Sequence, residues 1–117
     1  MSKKIFIVDD DRGILEMLRD NLEKARFEVL AEADSRVASE RISSEIPGAV
    51  ILDLVMPEPD GFEVLKSLKS NDKTKNIPVI ILTTHDTKEN RDRCAELGAA
   101  KYMLKPVNIK KLIEAIK

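Results

Sequence analysis

The chain has 117 residues, 20 of them lysine or arginine against 21 aspartates and glutamates, which fits one domain with a single core and offers no basic field for direct nucleic-acid binding. Its apolar runs are short and interrupted, so neither a membrane span nor a signal-peptide segment is expected. A single cysteine, Cys94, excludes an internal disulfide and fits a reducing cytoplasm, and a single histidine, His85, excludes a histidine-rich metal site.

The first element is the apolar run Ile5–Val8, a strand that stops at Asp9, Asp10 and Asp11. Adjacent carboxylates repel, so the cluster either faces water or holds a cation. Ile14, Leu15, Leu18, Leu22 and Ala25 then form one stripe at helical spacing. A second strand is predicted at Val29–Ala31 and a polar helix over Ser35–Glu45. Pro47-Gly48 precedes a third strand, Val50–Leu52, which runs into Asp53. Asp60-Gly61 opens a helix whose stripe at helical spacing is Phe62, Leu65 and Leu68. Pro78 starts a fourth strand, Val79–Leu82, followed by Thr83 and Thr84. A helix over Lys88–Leu97 carries Cys94 as a small packed side chain, and Gly98 follows it. A fifth strand, about Tyr102–Leu104, ends at Lys105-Pro106. Ile109, Leu112, Ile113 and Ile116, at i, i+3, i+4 and i+7, make the clearest amphipathic helix of the chain.

Five strands alternating with five helices predict an α/β domain: one parallel sheet, covered on both faces because every crossover is a helix. No repeat, linker or second domain interrupts residues 1–117. In such a sheet ligands bind outside the carboxyl ends of the strands, where strand order reverses. Position in the sequence therefore becomes a prediction in space. Asp9 to Asp11, Asp53, Thr83-Thr84 and Lys105-Pro106 should line one crevice.

Those groups suit a divalent cation and a phosphoryl group. Magnesium prefers oxygen ligands and is commonly held by one or two carboxylates with phosphate oxygens and water. Asp10 and Asp53 could ligate it directly and Asp9 through water. Asp53 could then act as a nucleophile toward phosphorus, giving an aspartyl phosphate. The Lys105 ammonium and the Thr83 hydroxyl suit two phosphoryl oxygens. Taken singly, each residue has a plainer role: aspartates after a strand usually cap or turn, a lysine is usually solvated, a tyrosine usually packs. Their convergence on one crevice favours the functional role for Asp53, Asp10, Lys105 and Thr83, and to a smaller degree for Tyr102. For His85 and Cys94 the plainer role is preferred.

The segments "IFIVDDD", "VILDLVMPEPDG", "PVIILTTH" and "KYMLKPV", in this order and over essentially the whole chain, resemble the response-regulator receiver domain of two-component signalling. The resemblance implies a flavodoxin-like sheet of order 2-1-3-4-5 and a switch rather than an enzyme acting on other substrates. Asp53 would accept phosphate from a phosphohistidine on a partner histidine kinase or phosphotransfer protein. Asp9, Asp10, Asp53 and the Val55 carbonyl would hold magnesium or manganese, and Thr83 and Lys105 would contact the phosphate. Tyr102 would be the switch aromatic, turning inward as Thr83 moves. The Lys105-Pro106 bond is expected to be cis, which would fix the lysine's aim. Asp11 is left to cap the first helix. The output would run through the face of helix four, strand five and helix five to a downstream protein or a fused output domain, with homodimerisation through that face left open.

Four positions depart from the commonest family pattern. Thr84 stands where alanine is typical, Pro59 replaces an apolar residue, Val107 replaces a frequent aromatic, and Asp34-Ser35 begins the second helix where glycine is common. Val55 and His85, two residues beyond Asp53 and Thr83, flank the attacking group in this family. An apolar Val55 cannot orient water, which predicts slow self-dephosphorylation.

The rival from another class is a hydrolase with an aspartyl-phosphate intermediate, like the haloacid dehalogenase phosphatases. It would need a second aspartate where Val55 stands. A flavin or nucleotide binder would need glycine-rich or hydroxyl-rich phosphate loops, and the four glycines are scattered. The remaining alternative is a receiver-like interaction module that is never phosphorylated, and the intact Asp10, Asp53, Thr83 and Lys105 argue against it.

Overall fold

The computed structural model describes residues 2–117. Five strands alternate with five helices: β1 Lys4–Val8, α1 Arg12–Lys24, β2 Glu28–Glu32, α2 Ser35–Glu45, β3 Ala49–Leu52, α3 Gly61–Ser70, β4 Val79–Thr83, α4 Lys88–Glu96, β5 Lys101–Leu104 and α5 Ile109–Ile116. All four strand pairings are parallel and the order is β2-β1-β3-β4-β5. The three-layer fold and the strand order therefore match expectation. Strand ends differ by a residue or so, because ladder bonds extend past the apolar runs. Ala25 lies beyond its helix, as the C-cap of α1.

The two-residue period of a strand divides its side chains between the sheet's faces, and the core splits accordingly. Phe6, Val8, Val50, Leu52, Val79 and Ile81 pack on one face with Ala38 and Ile42 of α2, Val64, Leu65 and Leu68 of α3, and Cys94 of α4. Ile5, Ile7, Ile51, Ile80 and Leu82 pack on the other with Leu15, Leu18 and Leu22 of α1 and Leu112 and Ile116 of α5. β1, β3 and β4 are buried on both faces, which is why they read as unbroken apolar runs. α4 is the exception among the helices: Cys94 is its single buried residue. Little apolar surface fastens it, so polar contacts matter more there than elsewhere.

Local chemistry sets the helix starts. Asp11 caps α1 by accepting from the Gly13 N–H at 2.9 Å, and Asp34 caps α2 through the Arg36 N–H at 2.9 Å. Asp60 and Glu63 form a reciprocal capping box on α3. Thr87 and Asn108 cap α4 and α5. Gly98, at φ +96, takes the left-handed turn after α4.

Candidate functional site

The carboxyl ends of β1, β3, β4 and β5 bring Asp9, Asp53, Thr83 and Lys105 to one crevice. β1 and β3 are adjacent and in register at Val8↔Leu52, so the residues that follow, Asp9 and Asp53, lie side by side. Backbone bonds hold both there: the Asp9 N–H donates to the Glu32 carbonyl at 3.2 Å and the Asp53 N–H to the Val8 carbonyl at 3.0 Å. Thr83 pairs with Leu104 across β4 and β5, and the Lys105 N–H donates to the Thr83 carbonyl at 2.8 Å.

Asp9, Asp53 and Thr83 are buried, whereas Asp10 is exposed at the rim. Carboxylate oxygens of Asp9, Asp10 and Asp53 lie within 4.8 Å of one another. That is a hard-oxygen donor set of the kind magnesium takes. Both Asp9 oxygens already have protein partners: one accepts from the Asp11 N–H at 3.0 Å, the other from the Lys105 ammonium at 2.7 Å. Asp9 is thus better arranged to support the site than to ligate an ion directly. Asp10 has no such partner among the described residues, and no group there donates to the Val55 carbonyl. The donor set fits a divalent cation.

Burial pushes the Asp53 carboxyl above the usual carboxylate range, and the charge of Asp9 pushes it the same way. The Lys105 ammonium, 3.6 Å from Asp53, opposes both, helped by the nearby N–H groups of Val55 and Leu54. Lys105 is nearer Asp9 than Asp53. Its charge is shared between the two carboxylates.

The Thr83 hydroxyl accepts from the His85 N–H at 3.2 Å, and the Tyr102 hydroxyl donates to the His85 carbonyl. The backbone of His85 in the β4–α4 loop is therefore held at both its N–H and its carbonyl, across two successive peptide units, by the two residues expected to form the switch. His85 takes part through its backbone, and the residue is otherwise exposed, as is Thr84. Tyr102 is half-buried against the core beside Cys94, and burial raises its phenol. Val55 is 55% exposed at the crevice mouth. Lys105-Pro106 is cis, as expected, and so is Glu58-Pro59.

Two residues of this region escaped the sequence reading. A Cβ on Gly61 would lie 2.2 Å from the Asp53 carbonyl oxygen, so the start of α3 packs directly on the backbone of Asp53. The Asp60-Gly61 pair signalled a helix start, but only the fold reveals that approach. Ser35, 6% exposed at the first turn of α2, donates its hydroxyl to the Pro57 carbonyl at 3.0 Å. The glycine commonly found in its place was the only available hint.

Comparison with known proteins agrees with this architecture. The family model for the response regulator receiver domain matches residues 5–117. The alkaline phosphatase synthesis transcriptional regulatory protein PhoP of Bacillus subtilis is 33% identical over 117 residues, which is 100% of this chain and 48% of that protein. The chain thus spans about half the length of that relative. Among solved structures, the chemotaxis protein CheY4 of Vibrio cholerae superposes with a TM-score of 0.93 at 29% identity, covering 99% of this chain and 97% of that one. A CheY-like receiver domain protein from Methanospirillum hungatei superposes with a TM-score of 0.90 at 31% identity, covering 99% and 91%. A buried aspartate at the end of β3, flanked by acidic neighbours and a lysine in a 2-1-3-4-5 sheet, belongs with these relatives: the chain is a member of the response regulator receiver domain family of two-component systems.

Proposed function

We propose that the protein is a phosphorylation-operated switch in which Asp53 is the phosphoacceptor. The observation that carries this reading is the grouping of buried Asp53 with Asp9, Asp10 and Lys105 at the carboxyl ends of the strands. An Asp53 oxygen attacks phosphorus of a phosphohistidine on a partner kinase or phosphotransfer protein. The new P–O bond forms as the P–N bond breaks, and the imidazole leaves with its electron pair. Asp10, Asp53 and the Val55 carbonyl would hold magnesium or manganese, with Asp9 supporting through water; the ion, when bound, neutralises charge on the carboxylates and the phosphoryl group.

Lys105 leans from Asp9 toward a phosphoryl oxygen, and the Thr83 hydroxyl turns to another. In turning, Thr83 releases the His85 N–H, which frees the β4–α4 loop and the lightly fastened α4. The signal then leaves through the α4–β5–α5 face. Lys88, Glu89, Arg91, Asp92, Arg93, Lys101, Lys110 and Lys111 are exposed on these elements, a mixture of charges suited to a transient protein partner. No described helix is long and apolar enough to cross a membrane, and we place the switch in the cytoplasm with its kinase. The test is intact mass after incubation with acetyl phosphate, with and without magnesium, beside Asp53→Asn. A single magnesium-dependent adduct, absent from Asp53→Asn and removed by hydroxylamine, is expected. An adduct that survives Asp53→Asn would refute the assignment.

A further inference from the structure

The β3–α3 loop, residues 53–60, carries what the phosphoacceptor reading most needs: Asp53, the Leu54 and Val55 N–H groups beside its carboxyl, and the Val55 carbonyl. Both ends of the loop are anchored. The Asp53 N–H is bonded to β1, the Gly61 N–H donates to the Leu54 carbonyl at 2.9 Å, and the capping box fixes Asp60. The side chains of Leu54 and Met56 are buried and hold Val55 between them.

The stretch from Pro57 to Pro59 is different. Its two prolines have no N–H to donate, and it runs along the surface. Among the described residues, the hydrogen bond that joins it to the body of the protein is the one from the Ser35 hydroxyl to the Pro57 carbonyl. Ser35 is buried, and its hydroxyl does not serve its own helix, whose end is already capped by Asp34. A serine fulfilling only a helical role would more economically face water. Here it is turned inward across the seam between α2 and the phosphoacceptor loop.

We infer that Ser35 is a positioning residue for the metal and phosphoryl site. It fixes the outer half of the β3–α3 loop, so the N–H groups at 54 and 55 stay beside the Asp53 carboxyl and the Val55 carbonyl stays open to the metal. The inference rests on the phosphoacceptor reading and adds to it a residue that touches neither metal nor phosphate. The outer support of a metal site typically governs affinity by about tenfold or more.

The test is Mn2+ binding, followed by the electron paramagnetic resonance signal of the free ion without any phosphodonor. Parent protein, Ser35→Ala, Ser35→Thr and Val37→Gly are compared. Val37 is 39% exposed on the same helix, so Val37→Gly weakens α2 without touching the loop. Ser35→Ala is expected to bind Mn2+ roughly tenfold more weakly and to exchange its Val55, Met56 and Glu58 amides faster. Ser35→Thr, which keeps the hydroxyl, should restore most of the affinity. Val37→Gly should lower the unfolding midpoint yet bind Mn2+ like the parent. Ser35→Cys, close to serine in shape but a weak donor, is the second variant should Ser35→Ala fold poorly, and it should show an intermediate loss. Parent-like Mn2+ affinity in Ser35→Ala, or an equal loss in Val37→Gly, would overturn the inference and leave the phosphoacceptor reading intact. A parent protein that binds no Mn2+ would overturn the metal site and this inference together.

Discussion

The two-sided hold on the His85 backbone is the feature whose disturbance reports most directly on the proposed switch. Thr83→Val keeps the shape of a fully buried side chain but removes the acceptor for the His85 N–H. A net hydrogen bond is worth about 1 kcal/mol, so Thr83→Val should cost roughly that amount. Tyr102→Phe removes the donor to the His85 carbonyl. Water reaches that end of the ring, so the cost should be lower, about 0.5 kcal/mol. Because both bonds hold the backbone of one residue, the double variant should lose less than the sum, by about 0.5 kcal/mol. His85→Ala should change stability by less than about 0.5 kcal/mol, since its imidazole is exposed. Urea unfolding followed by far-ultraviolet circular dichroism measures the four values. Amide exchange gives the sharper readout: the His85 N–H should exchange about threefold faster in Tyr102→Phe, although Tyr102 never touches that N–H. An unchanged His85 exchange rate in Tyr102→Phe would refute the idea that the two residues act through the backbone of His85.

Further expectations concern the acidic crevice. Asp53 titrates higher in the folded state than in the unfolded chain, because of burial and then Asp9. The folded form therefore binds more protons there, and Asp53 takes stability away as pH rises from about its unfolded value of 3.8 through its raised folded value. Asp53→Asn should accordingly raise the melting temperature at neutral pH without metal; a lower melting temperature would contradict that sign. Asp10→Ala should weaken magnesium binding by roughly tenfold or more, read by titration calorimetry. Gly61→Ala places a Cβ 2.2 Å from the Asp53 carbonyl oxygen, so α3 must shift at a cost of about 1–3 kcal/mol; denaturant unfolding and the yield of the phosphoryl adduct should both fall. Val55→Asn, which can orient water, should shorten the life of the phosphoryl group by about tenfold or more, measured as loss of the mass adduct with time.

Much of the architecture was legible because local chemistry and global fold agree. Unbroken β-branched runs read as doubly buried strands, and the 3.6-residue stripe of α5 read as an amphipathic helix. Asp11, Asp34 and Asp60 each stood where a helix had to begin. Since parallel strands place their carboxyl ends together, reading the residue after each strand was enough to collect Asp9, Asp53, Thr83 and Lys105 before any distance was known. α4 was the hardest helix to judge from periodicity, having a single buried residue, and that same thinness suits the movement proposed for it.

The sequence alone determined the element order, the parallel sheet and the groups at the strand ends, since these follow from hydrophobic period, capping chemistry and the geometry of parallel crossovers, while the strand order came from the resemblance to the receiver family. Only the tertiary structure decided which of those groups touch. It set Lys105 nearer Asp9 than Asp53, gave the His85 backbone to Thr83 and Tyr102, pressed Gly61 against the Asp53 carbonyl, and turned Ser35 toward Pro57. Those partners lie on different elements, up to 96 residues apart for Lys105 and Asp9. Their distances depend on how the helices and loops pack around the sheet, and no local pattern in the chain encodes that packing.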